Sequence, residues 1–106
     1  MKLSEYQKQA ERTINNYSLE EFAMGLAGET GEVVDGLKKV LYHGHELNHE
    51  EISKELGDVL WYVSAIATTL ELDLDQIAIK NIEKLRRRYP NGFEQERSVH
   101  RGDDNG

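Results

Sequence analysis

The sequence has no cysteine, a single proline and no long apolar run, and each absence closes off a class of protein. Without cysteine there is no disulfide scaffold, no thiol nucleophile and no cysteine-bound zinc or iron–sulfur centre, and the composition suits a reducing compartment. No stretch approaches the roughly 20 apolar residues of a membrane span. The N-terminus lacks the basic-then-apolar run of a signal peptide, so the sequence predicts a soluble, cytoplasmic protein with no membrane partner. Basic residues are in deficit, 13 Lys and Arg against 20 Asp and Glu, for a net charge of −7. Such a surface repels phosphate over most of its area, which argues against a nucleic-acid polymer as partner. It leaves room for a small polyanion brought in by metal ions. A chain of 106 residues makes one domain. At this size folding buries only roughly 60 to 65% of the unfolded chain's surface, so a second subunit is expected to complete the apolar face.

With the only proline at position 90, nothing interrupts a helical reading of the first 89 residues, and no useful strand-like alternation is present. The prediction is all-α. A first helix is expected from about Ser4 to Asn15, with Tyr6, Ala10 and Ile14 at four-residue spacing. Ser18 and Glu21 form a capping box for a second helix that carries Leu19, Phe22, Ala23, Leu26, Val33, Leu37 and Val40 to about Tyr42. After a polar connector, Asn48 and Glu51 open a third helix with Ile52, Leu56, Val59, Leu60, Val63, Ala67 and Leu70 on its apolar face. Asp73 and Gln76 repeat the signature for a fourth, marked by Leu74, Ala78, Ile82 and Leu85 and stopped at Tyr89-Pro90-Asn91-Gly92. The domain is thus assigned to residues 1–93, and the polar residues 94–106 to a flexible tail.

Helices two and three share a feature that composition alone does not require. Each carries an acidic pair at i, i+3 beside its apolar stripe: Glu29 with Glu32, and Glu55 with Asp58. At 100° per residue, Glu29 and Glu32 lie about 60° and about 120° from Leu26, both to one side. Glu55 and Asp58 lie about 100° and about 160° from Leu56, again on one flank, with Tyr62 between them in angle. A short connector favours antiparallel packing of the two helices, which brings the carboxylates toward one pocket. Left unscreened they would repel one another, and divalent cations resolve that repulsion. All-oxygen ligation suits Mg²⁺ or Mn²⁺ rather than Zn²⁺. A single such pair is common on a solvated helix face; two pairs, both bordering an apolar stripe and both among glycines, are less so. No His follows Glu29, Glu32 or Glu55 three residues on, which argues against the Glu-x-x-His pairs of a di-iron carboxylate bundle.

The fourth helix supplies charge of the other sign. Residues 80–89 hold five basic residues and one acidic, a net +4, while the rest of the chain is −11. Asn81, Lys84 and Arg88 form one stripe, with the same handed offset from the core as the carboxylates. Cations in a last helical turn also oppose the macrodipole, which is reason enough for Arg86 and Arg87. Lys84 and Arg88 fit phosphate contact better. The connector histidines His43, His45 and His49 read as solvated, and Trp61 is placed on the side of helix three opposite Tyr62, in core or interface.

Gly28-Glu29-Thr30-Gly31-Glu32, followed after 22 intervening residues by Glu55-Leu56-Gly57-Asp58-Val59-Leu60-Trp61-Tyr62, resembles the paired ExxE and ExxD signature of the MazG-like nucleoside triphosphate pyrophosphohydrolases. Residues Lys80 to Pro90 are similar to that family's fourth-helix motif. The resemblance implies a four-helix, all-α subunit whose core is completed in a homodimer or in a homotetramer that is a dimer of dimers. It implies Mg²⁺-dependent hydrolysis of a (deoxy)nucleoside triphosphate substrate between the α- and β-phosphates, with Glu29, Glu32, Glu55 and Asp58 as catalytic metal ligands. Asn81, Lys84 and Arg88 would hold phosphates or sugar, and Tyr62 would lie against the nucleotide. The base-gripping aromatics of some relatives have no clear match before Glu29 except Tyr17 and Phe22. A phosphoribosyl-ATP pyrophosphohydrolase and a non-catalytic helical interaction module are the alternatives.

Overall fold

The computed structural model describes residues 1–93; the tail assigned to 94–106 lies outside the described residues. Four helices follow in order, α1 (Leu3–Glu11), α2 (Leu19–His43), α3 (His49–Thr69) and α4 (Leu74–Arg88), with no strand among the described residues. The three predicted caps are made. Ser18 Oγ accepts from the Glu21 N–H, Asn48 Oδ1 from the Glu51 N–H, and Asp73 Oδ1 from the N–H groups of Asp75 and Gln76. Each satisfies amide donors that the first helical turn leaves unpaired. At its other end α2 stops on Gly44, whose φ of 74° allows the His45 N–H to return to the Lys39 carbonyl.

α1 ends at Glu11, short of the expected Asn15. The N–H groups of Arg12, Thr13 and Ile14 bond back to carbonyls three residues earlier, and the Thr13 hydroxyl donates to the Ala10 carbonyl at 2.6 Å. That hydroxyl competes for a carbonyl the helix needs, so the chain tightens and leaves the helical path.

The main packed pair is α2 with α3; α1 lies on α3, and α4 packs on α1. Gln7 of α1 fixes the α3–α4 turn. Its Nε2 donates to Thr68 Oγ1 and to the Leu72 carbonyl, and its Oε1 accepts from the Leu74 N–H, the first residue of α4. Buried apolar residues are few among the described residues: Ala10, Phe22, Ala65, Ala67 and Leu74. Several residues of the predicted apolar faces are instead open to solvent, with Leu56 53% and Ile82 46% exposed and Leu19, Leu37, Leu60, Leu70 and Leu85 also exposed. The helical periodicity therefore holds while much of the apolar surface has no cover among the described residues. No helix among the described residues is long and apolar enough to cross a membrane.

Candidate functional site

The register of α2 on α3 follows from two glycines. A Cβ on Gly25 would overlap the Tyr62 ring, and a Cβ on Gly36 would lie 3.7 Å from Glu55 Oε2. As α2 is followed forward from Gly25 to Gly36, its neighbour on α3 moves back from Tyr62 to Glu55, so the helices run antiparallel. Glu29 and Glu32 fall between those two contacts on α2, and Asp58 falls between them on α3. The expected convergence of the two acidic pairs is therefore built into the pairing of the helices.

Their electrostatics agree. Glu29 is half-buried, and its carboxyl is held above the usual range, first by partial withdrawal from water and then by the negative charges of Asp58, Glu32 and Glu55. Glu29 thus lies within reach of the charges of the other three. Glu55 is also half-buried, while Glu32 and Asp58 are exposed. Among the described residues no three acidic or histidine side chains are drawn together as a closed metal-binding group. The donor chemistry nonetheless fits a hard divalent cation, because the mutual repulsion of the carboxylates is what such an ion would relieve.

Tyr6 of α1 is a neighbour that sequence reasoning did not assign to the site. Its hydroxyl is raised above its ordinary pKa by burial and by the charge of Asp58, which places the phenol near the acidic group. Its position on the α1 stripe is indistinguishable, from spacing alone, from that of an ordinary core aromatic.

Beside the carboxylates opens a cleft of about 280 Å³ lined by Thr13, Asn15, Asn16, Glu21, Phe22, Trp61 and Tyr62. Trp61 lies in this cleft with Tyr62 rather than on the opposite side of α3. Neighbouring residues on a helix are 100° apart, and the two rings meet edge to face with centroids 5.0 Å apart. Phe22 adds a second edge-to-face contact to Trp61 at 5.7 Å, and the indole N–H donates to Thr13 Oγ1 at 2.8 Å. Tyr17, by contrast, is exposed and donates its hydroxyl to Glu11 at 2.9 Å.

Asn81, Lys84 and Arg88 do lie on α4 as a stripe, Asn81 exposed and the other two half-buried. Asn81 and Lys84 line an open groove of about 480 Å³ with Ile77, Lys80, Glu83 and Arg87. α4 itself packs on α1, the helix that also carries Tyr6. Of the connector histidines, His45 lines a smaller groove with Lys39 and Glu55, and the Lys39 ammonium pairs with Asp35 at 3.1 Å.

Comparison with known proteins matches these features to a family. The MazG nucleotide pyrophosphohydrolase domain matches residues 17–93, a span that contains both acidic pairs and all of α4. The chain is also 37% identical over 73 residues to the Gene 37 protein of Mycobacterium phage L5. That alignment covers 65% of this chain and 64% of the relative, so the chain spans less than two thirds of the relative's length. No solved structure matches. With more than half of its length inside the matched domain, and with the domain's acidic helices paired as described, the chain belongs to the MazG nucleotide pyrophosphohydrolase domain family.

Proposed function

We propose that the protein hydrolyses (deoxy)nucleoside triphosphates between the α- and β-phosphates, releasing a monophosphate and pyrophosphate, in a reaction that depends on Mg²⁺ or Mn²⁺. The observation that carries this reading is the antiparallel register that puts Glu29 within reach of the charges of Glu32, Glu55 and Asp58. Family membership supplies the reaction class.

Glu29, Glu32, Glu55 and Asp58 would hold the divalent cation. When bound, it supplies Lewis-acid polarisation of phosphate oxygens, acidification of a water and neutralisation of the leaving pyrophosphate. The chain's own residues then have distinct tasks. The carboxylates orient the attacking water and take up its proton as the new P–O bond forms and the bond to the leaving oxygen breaks. No side-chain nucleophile is needed. Tyr62, held against Gly25, would present its ring to the nucleotide, and the cleft it shares with Trp61 offers an aromatic wall with the amides of Asn15 and Asn16 for sugar or base. Asn81, Lys84 and Arg88 would contact phosphates. The working unit is a homodimer or a dimer of dimers, a reading supported by the exposure of Leu56 and Ile82.

Replacing Glu55 by Gln tests the acidic site. Turnover of nucleoside triphosphates should fall by at least about 100-fold with the helical circular-dichroism spectrum unchanged. A folded Glu55→Gln protein with wild-type turnover would refute the assignment.

A further inference from the structure

The cleft beside the carboxylates offers a ligand several groups, and one of them discriminates between bases. Phe22, Trp61 and Tyr62 make an aromatic wall that accepts the face of any base. Part of the polar lining is already committed: the indole N–H donates to Thr13 Oγ1 at 2.8 Å, and the Thr13 hydroxyl donates to the Ala10 carbonyl at 2.6 Å. The Tyr62 hydroxyl and the side chains of Asn15, Asn16 and Glu21 have no hydrogen bond or ion pair among the described residues and remain for a ligand. A tyrosine hydroxyl and an asparagine amide both donate and accept, so they suit any base edge. The ionised Glu21 carboxylate only accepts, through two oxygens side by side.

Glu21 also stands in register with the acidic group. Glu21, Gly25 and Glu29 follow one another at four-residue spacing, so at 100° per residue they lie within about 80° on one side of α2. Gly25, the middle one, meets the ring of Tyr62, which lies one turn past Asp58 on α3. The aromatic wall is thus one turn, about 5 Å, from the carboxylates, and Glu21 is about 12 Å along α2 from Glu29. That separation suits a nucleotide whose α-phosphate lies at the carboxylates, whose sugar passes the bare Gly25 and whose base edge ends at Glu21. The volume agrees: about 280 Å³ is just under the roughly 300 Å³ at which sites for whole drug-sized ligands begin, room for a base rather than an entire triphosphate.

We infer that this cleft is a base site and that Glu21 makes it selective for guanine. Guanine alone among the common bases sets two adjacent donors on its Watson–Crick edge, N1–H and the N2 amino group, and these match the two carboxylate oxygens in a bidentate, charge-assisted pair. Its O6, on the same edge, accepts from an asparagine amide. Adenine and cytosine each place one amino group beside a bare ring nitrogen, whose lone pair would face the second carboxylate oxygen. Uracil and thymine flank a single N–H with two carbonyls. Each of those edges sets acceptor against acceptor, which excludes the wrong base by repulsion. The inference rests on the proposed function for the place of the phosphates, and it adds the base that the site takes.

Trp61 is the only tryptophan of the chain, so its fluorescence reports on the cleft without any turnover. Titrated in Mg²⁺ with the four ribonucleoside monophosphates in turn, the protein should bind guanosine monophosphate at least about ten-fold more tightly than uridine monophosphate, with the adenosine and cytidine compounds also weaker. Glu21→Gln replaces one of the two acceptors by a donor while keeping the backbone N–H that Ser18 caps, and it should abolish the preference. Equal affinities across the four, a preference for uridine monophosphate, no response to any of them, or a guanine preference that survives in Glu21→Gln would each overturn the inference. Turnover of the matching triphosphates separates this result from the proposed function. Guanine-selective binding with no triphosphate hydrolysed keeps the base site and discards the catalytic reading; pyrophosphate release with equal kcat/KM for every base keeps the catalysis and discards the selection.

Discussion

Glu29 is the residue whose titration carries the mark of the acidic group. Its carboxyl is raised above the ordinary 4.5, so between that value and its raised one the folded chain keeps a proton that the unfolded chain has lost. This contribution to stability is full below the ordinary value and is lost as pH rises through the raised one. In metal-free protein, urea midpoints measured from acid to neutral pH should therefore decline less steeply, or rise more steeply, in Glu29→Gln than in the wild type. Superimposable pH profiles would show that Glu29 is not under strain from its neighbours. Gly25 offers a second test. A methyl group there overlaps the Tyr62 ring, so Gly25→Ala should lower stability by about 1–3 kcal/mol in denaturant unfolding, an effect much reduced in a Tyr62→Ala background. The carboxylates were legible in the sequence because helical spacing converts position directly into angle. Tyr6 and the shared cleft of Trp61 and Tyr62 were not, because ring contacts depend on side-chain reach and on which helix lies opposite.

At the scale of elements, the helix starts were the most legible features, since Ser18, Asn48 and Asp73 each announce a cap by chemistry that operates within three residues. The end of α1 was less so: a Thr13 hydroxyl competing for the Ala10 carbonyl has no signature in apolar spacing. Nor did anything single out Gln7, a polar residue on a short helix, as the side chain that joins α1 to the α3–α4 turn. That turn also places Glu71 at φ 59°, a left-handed conformation unusual for a residue with a side chain. Removing the Gln7 amide leaves the Leu72 carbonyl and the Leu74 N–H without this partner. Gln7→Ala should cost about 1–3 kcal/mol in denaturant unfolding. An unchanged midpoint would mean that α4 is held by other contacts.

For the whole molecule, the all-α class followed from one proline and uninterrupted helical periodicity, and the four helices and the antiparallel α2–α3 pair agree with it. The arrangement of α4 did not follow. Spacing showed that Asn81 and Lys84 share a stripe, but it carries no information about the helix that the stripe faces, and α4 packs on α1. The exposed Leu56 and Ile82 have the same origin, because periodicity identifies an apolar face without saying whether its cover lies in the same chain. The proposal is chemical: carboxylates from two antiparallel helices would make this MazG-family chain a divalent-metal-dependent pyrophosphohydrolase. Its most direct test is phosphorus NMR of the products formed from the common ribo- and deoxyribonucleoside triphosphates, with Mg²⁺ and then with excess chelator. Monophosphate and pyrophosphate in equal amounts, lost on chelation, are the predicted result; orthophosphate with a nucleoside diphosphate, or no product from any triphosphate, would contradict it.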